Sequence, residues 1–255
     1  MRFDAGPGPV ERALRERLEH GPLHFTLIDP DKSRGAQAAS VARAAAEAGT
    51  HAILLGGSTG ITPERVGEAA RAIRAAARIP TIIFPEGPSS LAREADAVLF
   101  MSLLNSRNLD LVIRAHAKAA PAVRALGLEA IPMGYLVIAP GMRVGEVGQV
   151  DVVPRDQPGV AAGYALAAEM LGMRLVYLEA GSGAPEPVPV PMVRAVREAL
   201  RIPLVVGGGI RSGPEARALL EAGADVLVTG TVTEEQGIGD GFRSIVQEVL
   251  RARRA

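Results

Sequence analysis

Short apolar runs alternate with longer amphipathic stretches along most of this 255-residue chain. Eight of these runs have the length and the β-branched content of buried strands. They cover residues 23–28, 51–55, 81–84, 97–101, 129–137, 175–179, 204–206 and 226–228. Between them lie stretches with the helical period of 3.6 residues, of which the clearest are 35–48, 62–77, 109–126 and 213–222. Strands that alternate with helices in this way predict parallel βαβ units.

The number of these units and the length of the chain predict the fold class. About eight units in about 250 residues are typical of one α/β domain built as a (β/α)8 TIM barrel, here over residues 1–255. A charged amphipathic helix over Pro9–His20 precedes the first strand, so residues 1–22 are expected to form an N-terminal helical extension. The alternative is an open doubly wound sheet, but no G-x-G-x-x-G motif follows the first strand and no P-loop motif occurs.

Composition narrows the class of protein further. The chain has 28 basic and 28 acidic residues, so it lacks the basic excess that nucleic-acid binding usually needs. It has no cysteine, which excludes disulfides and thiolate chemistry. No apolar run reaches the roughly 18 residues of a membrane span, and residues 1–10 lack the apolar core of a signal peptide. We therefore expect a soluble, cytoplasmic protein.

The last two predicted strands both end in glycine. Val206 is followed by three glycines, 207–209, and the eighth strand by Gly230 and Thr231. Glycine lets a backbone come close to a ligand, and free N–H groups at the start of the next helix favour an anion. One such cluster would be explained by a tight turn alone. The paired arrangement favours a phosphate site, as at the last strands of TIM barrels.

Carboxylates and a hydroxyl follow three other strands. Asp29 and Asp31 come after the first strand, Ser58 after the second, and Glu179 closes the sixth. Residues 29–40 lack the glycine and the glutamate that an EF-hand calcium loop needs. Magnesium usually binds few protein ligands, so a site with one carboxylate and one hydroxyl suits it better. The two aspartates could instead cap the next helix. Because an idle carboxylate would be costly to desolvate there, Glu179 is either a general base with a raised pKa or the partner of an arginine.

Five segments make the sequence more specific. They are HFTLIDPDK at 24–32, LLGGST at 54–59, YLEAGSG at 177–183, VGGGIR at 206–211 and VTGT at 228–231. In this order they closely resemble the geranylgeranylglyceryl phosphate synthase family, which includes heptaprenylglyceryl phosphate synthases. The resemblance covers nearly the whole chain, and YLEAGSG is similar to the second of the family's two sequence groups.

The resemblance implies a prenyltransferase of ether phospholipid synthesis. Its substrates would be sn-glycerol 1-phosphate and a long-chain prenyl diphosphate, with geranylgeranyl diphosphate as the expected donor. It implies Mg²⁺ on Asp29 and Ser58, and Glu179 as the catalytic base. It also implies an irregular connection after the third strand, a homo-oligomer and transient contact with a membrane for the lipid product. The implied glycerol phosphate site comprises Tyr177, Leu178, Glu179, Ala180, Gly181, Ser182, Gly183, Gly208, Gly209, Gly230 and Thr231.

One position departs from the family pattern. Leu27 stands where the first sequence group has a lysine, so Arg211 or main-chain donors would have to neutralise the phosphate. The alternative function is a TIM-barrel isomerase or aldolase acting on a small sugar phosphate. Such an enzyme needs a Schiff-base lysine or an opposed acid and base, and Lys32 and Lys118 are the only lysines. For a non-catalytic phosphate-binding subunit, the carboxylates at the strand ends would have no role.

Overall fold

Eight parallel strands close into a barrel in the computed structural model, which describes residues 6–57 and 62–252, without the side chain of Gln236. Each strand pairs with the next in chain order, and the eighth returns to the first with Leu23 opposite Val226. The TIM-barrel prediction is therefore confirmed and the open sheet is wrong. The strands are β1 Leu23–Ile28, β2 Ala52–Leu55, β3 Thr81–Ile83, β4 Ala97–Leu103, β5 Glu129–Val137, β6 Leu175–Glu179, β7 Leu204–Gly207 and β8 Val226–Thr229.

Helices surround the barrel and largely follow the predicted stretches. They are α1 Pro9–Glu19, α2 Gly35–Ala48, α3 Pro63–Ala76, α4 Ala115–Leu126, α5 Met142–Val147, α6 Pro158–Met170, α7 Val190–Ala199, α8 Gly213–Glu221, α9 Thr231–Gln236 and α10 Asp240–Arg251. Thr62 caps α3, since its side chain accepts a hydrogen bond from the N–H of Arg65. A π-helical turn, Asp110–Arg114, leads into α4. Within the described ranges no helix is both long and apolar enough to cross a bilayer.

The side chains of each strand alternate between two apolar layers. One layer fills the barrel, and the other lies between the strands and the surrounding helices. On β6, Tyr177 belongs to the inner layer and Leu178 to the outer one. This burial on both sides explains why the strands read as continuous apolar runs. The alternation also aims Glu179, two residues after Tyr177, into the barrel.

Helix α1 covers the end of the barrel at which the strands begin. Its Leu14 is buried in the inner layer together with Leu23 and Ile82. Glu11, also buried, accepts a hydrogen bond from Arg15 at 2.9 Å and one from Arg174 at 2.6 Å. The helix predicted as an extension thus closes the amino end of the barrel.

The connection from β3 to β4 is irregular, as predicted. It contains a single 3₁₀ turn, Pro88–Ser90, where the other units have an α-helix. This leaves the outer side of β4 open toward α4. An apolar crevice of about 570 Å³ lies there.

Candidate functional site

A polar cavity of about 420 Å³ lies at the carboxyl ends of β6, β7 and β8. Active sites of parallel barrels lie at this end, because the βα loops meet there. Seven of the residues implied for glycerol phosphate line the cavity: Tyr177, Glu179, Ser182, Gly208, Gly209, Gly230 and Thr231. Leu27, Ile210, Arg211, Val228 and Thr229 complete its wall. The structure therefore brings most of the predicted set into one place.

Glu179 is buried at the base of this cavity and accepts hydrogen bonds on both oxygens. The N–H of Gly181 donates to Oε1 at 2.7 Å, and the hydroxyl of Tyr135 donates to Oε2 at 3.0 Å. Burial raises the pKa of Glu179, while hydrogen bonds from Gly181, Tyr135 and Tyr177 act in the opposite direction. In the described part of the chain no arginine forms an ion pair with this carboxylate, so the arginine interpretation is wrong.

Both tyrosine hydroxyls near Glu179 remain donors. Burial and the neighbouring carboxylate raise the pKa of Tyr135 and of Tyr177 well above the usual range, so both hydroxyls keep their protons. Their rings lie 5.1 Å apart, and each meets the ring of Phe84 edge-on. A Cβ on Gly207 would collide with the Tyr177 hydroxyl, so this glycine makes room for the donor. Sequence reasoning missed Tyr135, because its contact depends on the register of β5 against β6, which places it opposite Tyr177.

The glycines of the β7 loop have a backbone that disfavours other residues. Gly208 has φ +82° and Gly209 has φ +72°, in the left-handed region. A Cβ would collide with Glu179 Oε1 at Gly208 and with the Glu186 carbonyl oxygen at Gly209. The N–H groups of Gly208, Gly209 and Gly230 have no hydrogen-bond partner in the part of the chain that the structure describes. They are free to donate to a bound anion.

Two hydroxyls join the β6 and β8 loops across the cavity. Ser182 Oγ lies 3.1 Å from Thr231 Oγ1, and the N–H of Gly183 donates to the same Thr231 oxygen at 3.0 Å. Gly183 has φ +76°, which allows the loop to turn back toward β8. The resulting rim places hydroxyl groups beside the free glycine amides.

Arg211 lines the cavity, but its guanidinium is bonded to the β6 loop. It donates to the carbonyl oxygens of Ala184 at 2.5 Å, Pro185 at 3.4 Å and Gly183 at 3.5 Å. Of the two expected replacements for the missing lysine, this geometry favours the main-chain donors. Leu27 lies against Gly230, with 3.3 Å from its Cβ to the position of an added Cβ on that glycine.

Two residues of the implied set face away from the cavity. Leu178 and Ala180 are buried in the outer apolar layer. The N–H of Ala180 donates to Gly207 and its carbonyl accepts from Gly141, each at 3.1 Å. Their contribution is to hold β6 in place. Gly181, with φ +105°, then turns the chain against Met142, where a Cβ would lie 2.6 Å from Met142 Cγ.

Asp29 lies at the end of β1 with its side chain 13% exposed. Its Oδ1 accepts a hydrogen bond from the N–H of Asp31 at 2.9 Å, and Oδ1 lies 2.6 Å from the position of an added Cβ on Gly57. Asp31 instead pairs with Arg65 at 2.7 Å. Neither aspartate caps α2, whose N-cap is Arg34.

Of the two expected metal ligands, Ser58 lies outside the described residues. Among those that are described, no group of three or more His, Asp or Glu side chains is placed to hold a metal ion. A lone carboxylate directed at the backbone beside β2 fits magnesium, which often binds one or two carboxylates together with substrate phosphates.

Tyr135 links the strand beside the apolar crevice to Glu179, because it is the sheet partner of Leu103 and its hydroxyl donates to the Glu179 carboxylate. The crevice is lined on one side by Leu103, which is paired with Tyr135 in the sheet, and by Pro85, which follows Phe84. The rest of its wall is mostly apolar and includes Leu91, Val98, Leu99, Phe100, Met101, Leu111, Ala115, Ala119 and Val123. Burial lowers the pKa of His116 in this wall. The lining of the crevice suits an apolar chain.

Comparisons with known proteins match nearly the whole chain. The profile of the PcrB family matches residues 12–250. The geranylgeranylglyceryl phosphate synthase of Pyrococcus horikoshii is 50% identical over 228 residues, 89% of this chain and 90% of that protein. That of Methanothrix thermoacetophila is 51% identical over 247 residues, 96% of each chain. A crystal structure of (S)-3-O-geranylgeranylglyceryl phosphate synthase from Thermoplasma acidophilum, in complex with substrate sn-glycerol-1-phosphate, is 45% identical with a TM-score of 0.91, covering 94% of this chain and 98% of that one.

Proposed function

This chain belongs to the PcrB family, and from that membership we propose that it is a prenyltransferase of ether phospholipid synthesis. It joins the C3 hydroxyl of sn-glycerol 1-phosphate to C1 of a long-chain prenyl diphosphate, with geranylgeranyl diphosphate as the donor. The single observation that carries this proposal is the buried carboxylate of Glu179, which lines the polar cavity and accepts a hydrogen bond from Tyr135, the sheet neighbour of Leu103 in the apolar crevice. The reaction needs a base that can take the proton of the acceptor hydroxyl.

The polar cavity binds glycerol phosphate through the main chain. The free N–H groups of Gly208, Gly209 and Gly230 donate to the phosphate oxygens, and the hydroxyls of Ser182 and Thr231 add two further polar contacts. Hydrogen bonds to a charged group are worth about 1.5–3 kcal/mol each. Several of them together compensate for the absence of a lysine at position 27, where this chain has leucine. The acceptor is thereby fixed with its C3 hydroxyl directed toward Glu179.

Glu179 is the general base of the reaction. As the C3 oxygen attacks C1 of the donor, the new C–O bond forms, the bond from C1 to the diphosphate oxygen breaks, and the hydroxyl proton passes to the Glu179 carboxylate. A raised pKa makes this carboxylate a stronger base than one in water. Tyr135 and Gly181 hold both oxygens in place, so the base meets the acceptor in a fixed orientation.

Asp29 and Ser58 are the residues that would hold magnesium. When bound, the ion would neutralise charge on the departing diphosphate. Asp29 is suited to this role because its carboxylate is mostly buried and fixed by the N–H of Asp31. Lys32 Nζ, 4.0 Å from Asp29 and 2.6 Å from Glu234, adds a positive charge at the same opening.

The prenyl chain lies in the apolar crevice between α4 and the irregular connection after β3. Its wall of leucine, valine and alanine side chains suits an apolar chain. The homo-oligomeric state, the cytoplasmic location and the single-domain organisation over residues 1–255 remain predictions from the sequence.

Neither lysine of the chain is placed as the isomerase or aldolase alternative requires. Lys32 is 59% exposed and paired with Glu234, and Lys118 is 68% exposed and paired with Asp110 on the outside of the barrel. Neither is the desolvated lysine that Schiff-base chemistry needs. No other feature of the described residues favours that reaction class.

The proposed function is tested by incubating the protein with Mg²⁺, glycerol phosphate and prenyl diphosphates of 10 to 35 carbons, and by detecting products with mass spectrometry. We expect an ether product from sn-glycerol 1-phosphate and at least tenfold less from sn-glycerol 3-phosphate. Glu179→Gln, measured in parallel, should remove the product without loss of the fold. Equal use of both acceptors, or release of diphosphate without ether formation, would contradict the proposal.

A further inference from the structure

The outer side of the π-helical turn and α4 carries exposed apolar and basic side chains together. Leu109 is 47% exposed and Ile113 is 55% exposed, although both are large aliphatic residues. Residues 107–124 include four basic residues, namely Arg107, Arg114, Lys118 and Arg124, against one acidic residue, Asp110, in a chain without net charge. We call Leu109, Ile113, Arg114, Lys118 and Arg124 the α4 surface.

The α4 surface lies on the same helical segment as one wall of the apolar crevice. Leu111 lines the crevice, and its neighbours two residues away on either side, Leu109 and Ile113, face solvent. Further along, His116 and Val123 line the crevice while Lys118 and Arg124 are exposed. One segment therefore separates the crevice from solvent and presents its basic face outward.

We propose that the α4 surface docks on an anionic lipid bilayer, from which the prenyl donor enters the crevice. This proposal rests on the proposed function, because the occupant of the crevice is a prenyl chain. A helix with exposed aliphatic residues at one end and basic residues along its length is typical of segments that lie in the membrane interface. Leu109 and Ile113 enter the apolar boundary, beside the place where the donor's chain must leave the bilayer.

The basic side chains of the α4 surface favour an anionic bilayer over a neutral one. Among the described residues, Arg114 and Arg124 have no ion pair, and Lys118 is paired only loosely with Asp110 at 3.6 Å. Basic side chains near an anionic membrane each strengthen binding by roughly fivefold, and salt screens the effect. We therefore expect binding to vesicles to rise with their anionic content and to fall as salt is added.

The test is cosedimentation of the full chain with vesicles of pure phosphatidylcholine or of phosphatidylcholine with 30% phosphatidylglycerol. Wild type should bind the anionic vesicles at least tenfold more tightly. Leu109→Ser with Ile113→Ser, and separately Arg114→Gln with Arg124→Gln, should each lose at least fivefold. Met170→Ser with Leu171→Ser removes a more exposed apolar pair from the end of α6, and Arg43→Gln with Arg194→Gln removes two exposed charges elsewhere. These matched variants should bind like wild type.

Activity separates this proposal from the proposed function. With donor dispersed in detergent, all variants should keep the wild-type rate, whereas with donor in anionic vesicles only the α4-surface variants should slow. Wild type that is active in detergent but does not bind anionic vesicles would overturn the docking proposal alone. Absence of activity in detergent would overturn the proposed function instead. If the α4-surface variants change the oligomeric state in light scattering, the surface is a subunit interface and the docking proposal is wrong.

Discussion

The hydroxyl of Tyr135 donates a hydrogen bond to Oε2 of Glu179 across two neighbouring strands, with 3.0 Å between the oxygens. Tyr135 is also paired in the sheet with Leu103, which lines the apolar crevice. One buried side chain therefore contacts the proposed base and adjoins the proposed path of the prenyl chain. This relationship makes the protonation of Glu179 experimentally accessible without changing Glu179 itself.

Tyr135→Phe should move the pH dependence of kcat. The lost hydrogen bond favours the charged carboxylate, so its removal raises the pKa of Glu179 further. Since the base acts in its charged form, activity rises with pH through that pKa, and the acidic limb of the profile should move to higher pH. Hydrogen bonds to charged groups are worth about 1.5–3 kcal/mol, so the loss of this one should move the limb measurably.

Tyr164→Phe is the matched control, because Tyr164 is exposed on α6 and far from the site in the fold. Its profile should coincide with wild type. A Tyr135→Phe enzyme with a lower rate but an unchanged acidic limb would mean that Tyr135 only shapes the cavity.

Glu179→Gln should lower kcat by roughly 10²–10⁴, the usual contribution of general base catalysis. Acceptor affinity should stay within a few-fold, because the phosphate is bound by main-chain amides. Transient kinetics and calorimetric titration with glycerol phosphate, done on the same variant, measure the two quantities. A large loss of affinity with normal kcat would make Glu179 a binding residue and leave the reaction without its base.

The same variant should also be more stable than wild type at high pH. Burial raises the pKa of Glu179 in the folded state, so the folded protein binds this proton more tightly than the unfolded chain does. The protonated side chain therefore contributes to stability below the unfolded pKa of about 4.3, and this contribution is lost as pH rises through the folded pKa. Glutamine has no charge to desolvate. The Tm difference between Glu179→Gln and wild type should therefore be larger at pH 8 than at pH 4, and a difference independent of pH would contradict the raised pKa.

Gly230→Ala and Gly209→Ala should separate phosphate binding from loop structure. Gly230 has φ −131°, outside the left-handed region, and the atoms that an added Cβ would contact belong to Leu27. Alanine keeps the main-chain N–H, but its methyl group would stand in the cavity wall beside Leu27, so Gly230→Ala should raise the KM for glycerol phosphate severalfold with little change in Tm. Gly209→Ala strains a φ of +72° and collides with Glu186, so it should lower the stability by more than about 1 kcal/mol.

Asp29→Asn should remove most turnover with the fold intact. Asparagine can still accept the hydrogen bond from the N–H of Asp31, so the turn is kept while the charge is lost. Treatment of wild type with EDTA should reduce its rate to the same level, and Mg²⁺ should restore it. Asp31→Asn, which disturbs the ion pairs with Arg65 and Arg34, is the control and should remain active. Normal turnover of Asp29→Asn in Mg²⁺ would make the metal assignment wrong.

Features that depend on neighbouring residues in the sequence were easier to predict than contacts between distant segments. The helix start at Thr62 and Pro63 was predictable because a cap is local, and α5 and α9 were missed because six residues show no clear period. The contact of Tyr135 with Glu179 depends on the register of β5 against β6, which lies beyond any local pattern. Leu178 and Ala180 were assigned to the site as part of one continuous motif, whereas the strand's alternation turns Leu178 outward.

Because α1 closes the amino end of the barrel, only the end at which the strands finish is open to substrates. Leu14 and the ion pairs of Glu11 block the lower end, so both substrates arrive over the rim formed by the βα loops. The product carries the glycerol phosphate head and the prenyl tail on one molecule. It must therefore leave the cavity and the crevice together, and each additional isoprene unit in the tail should slow its departure.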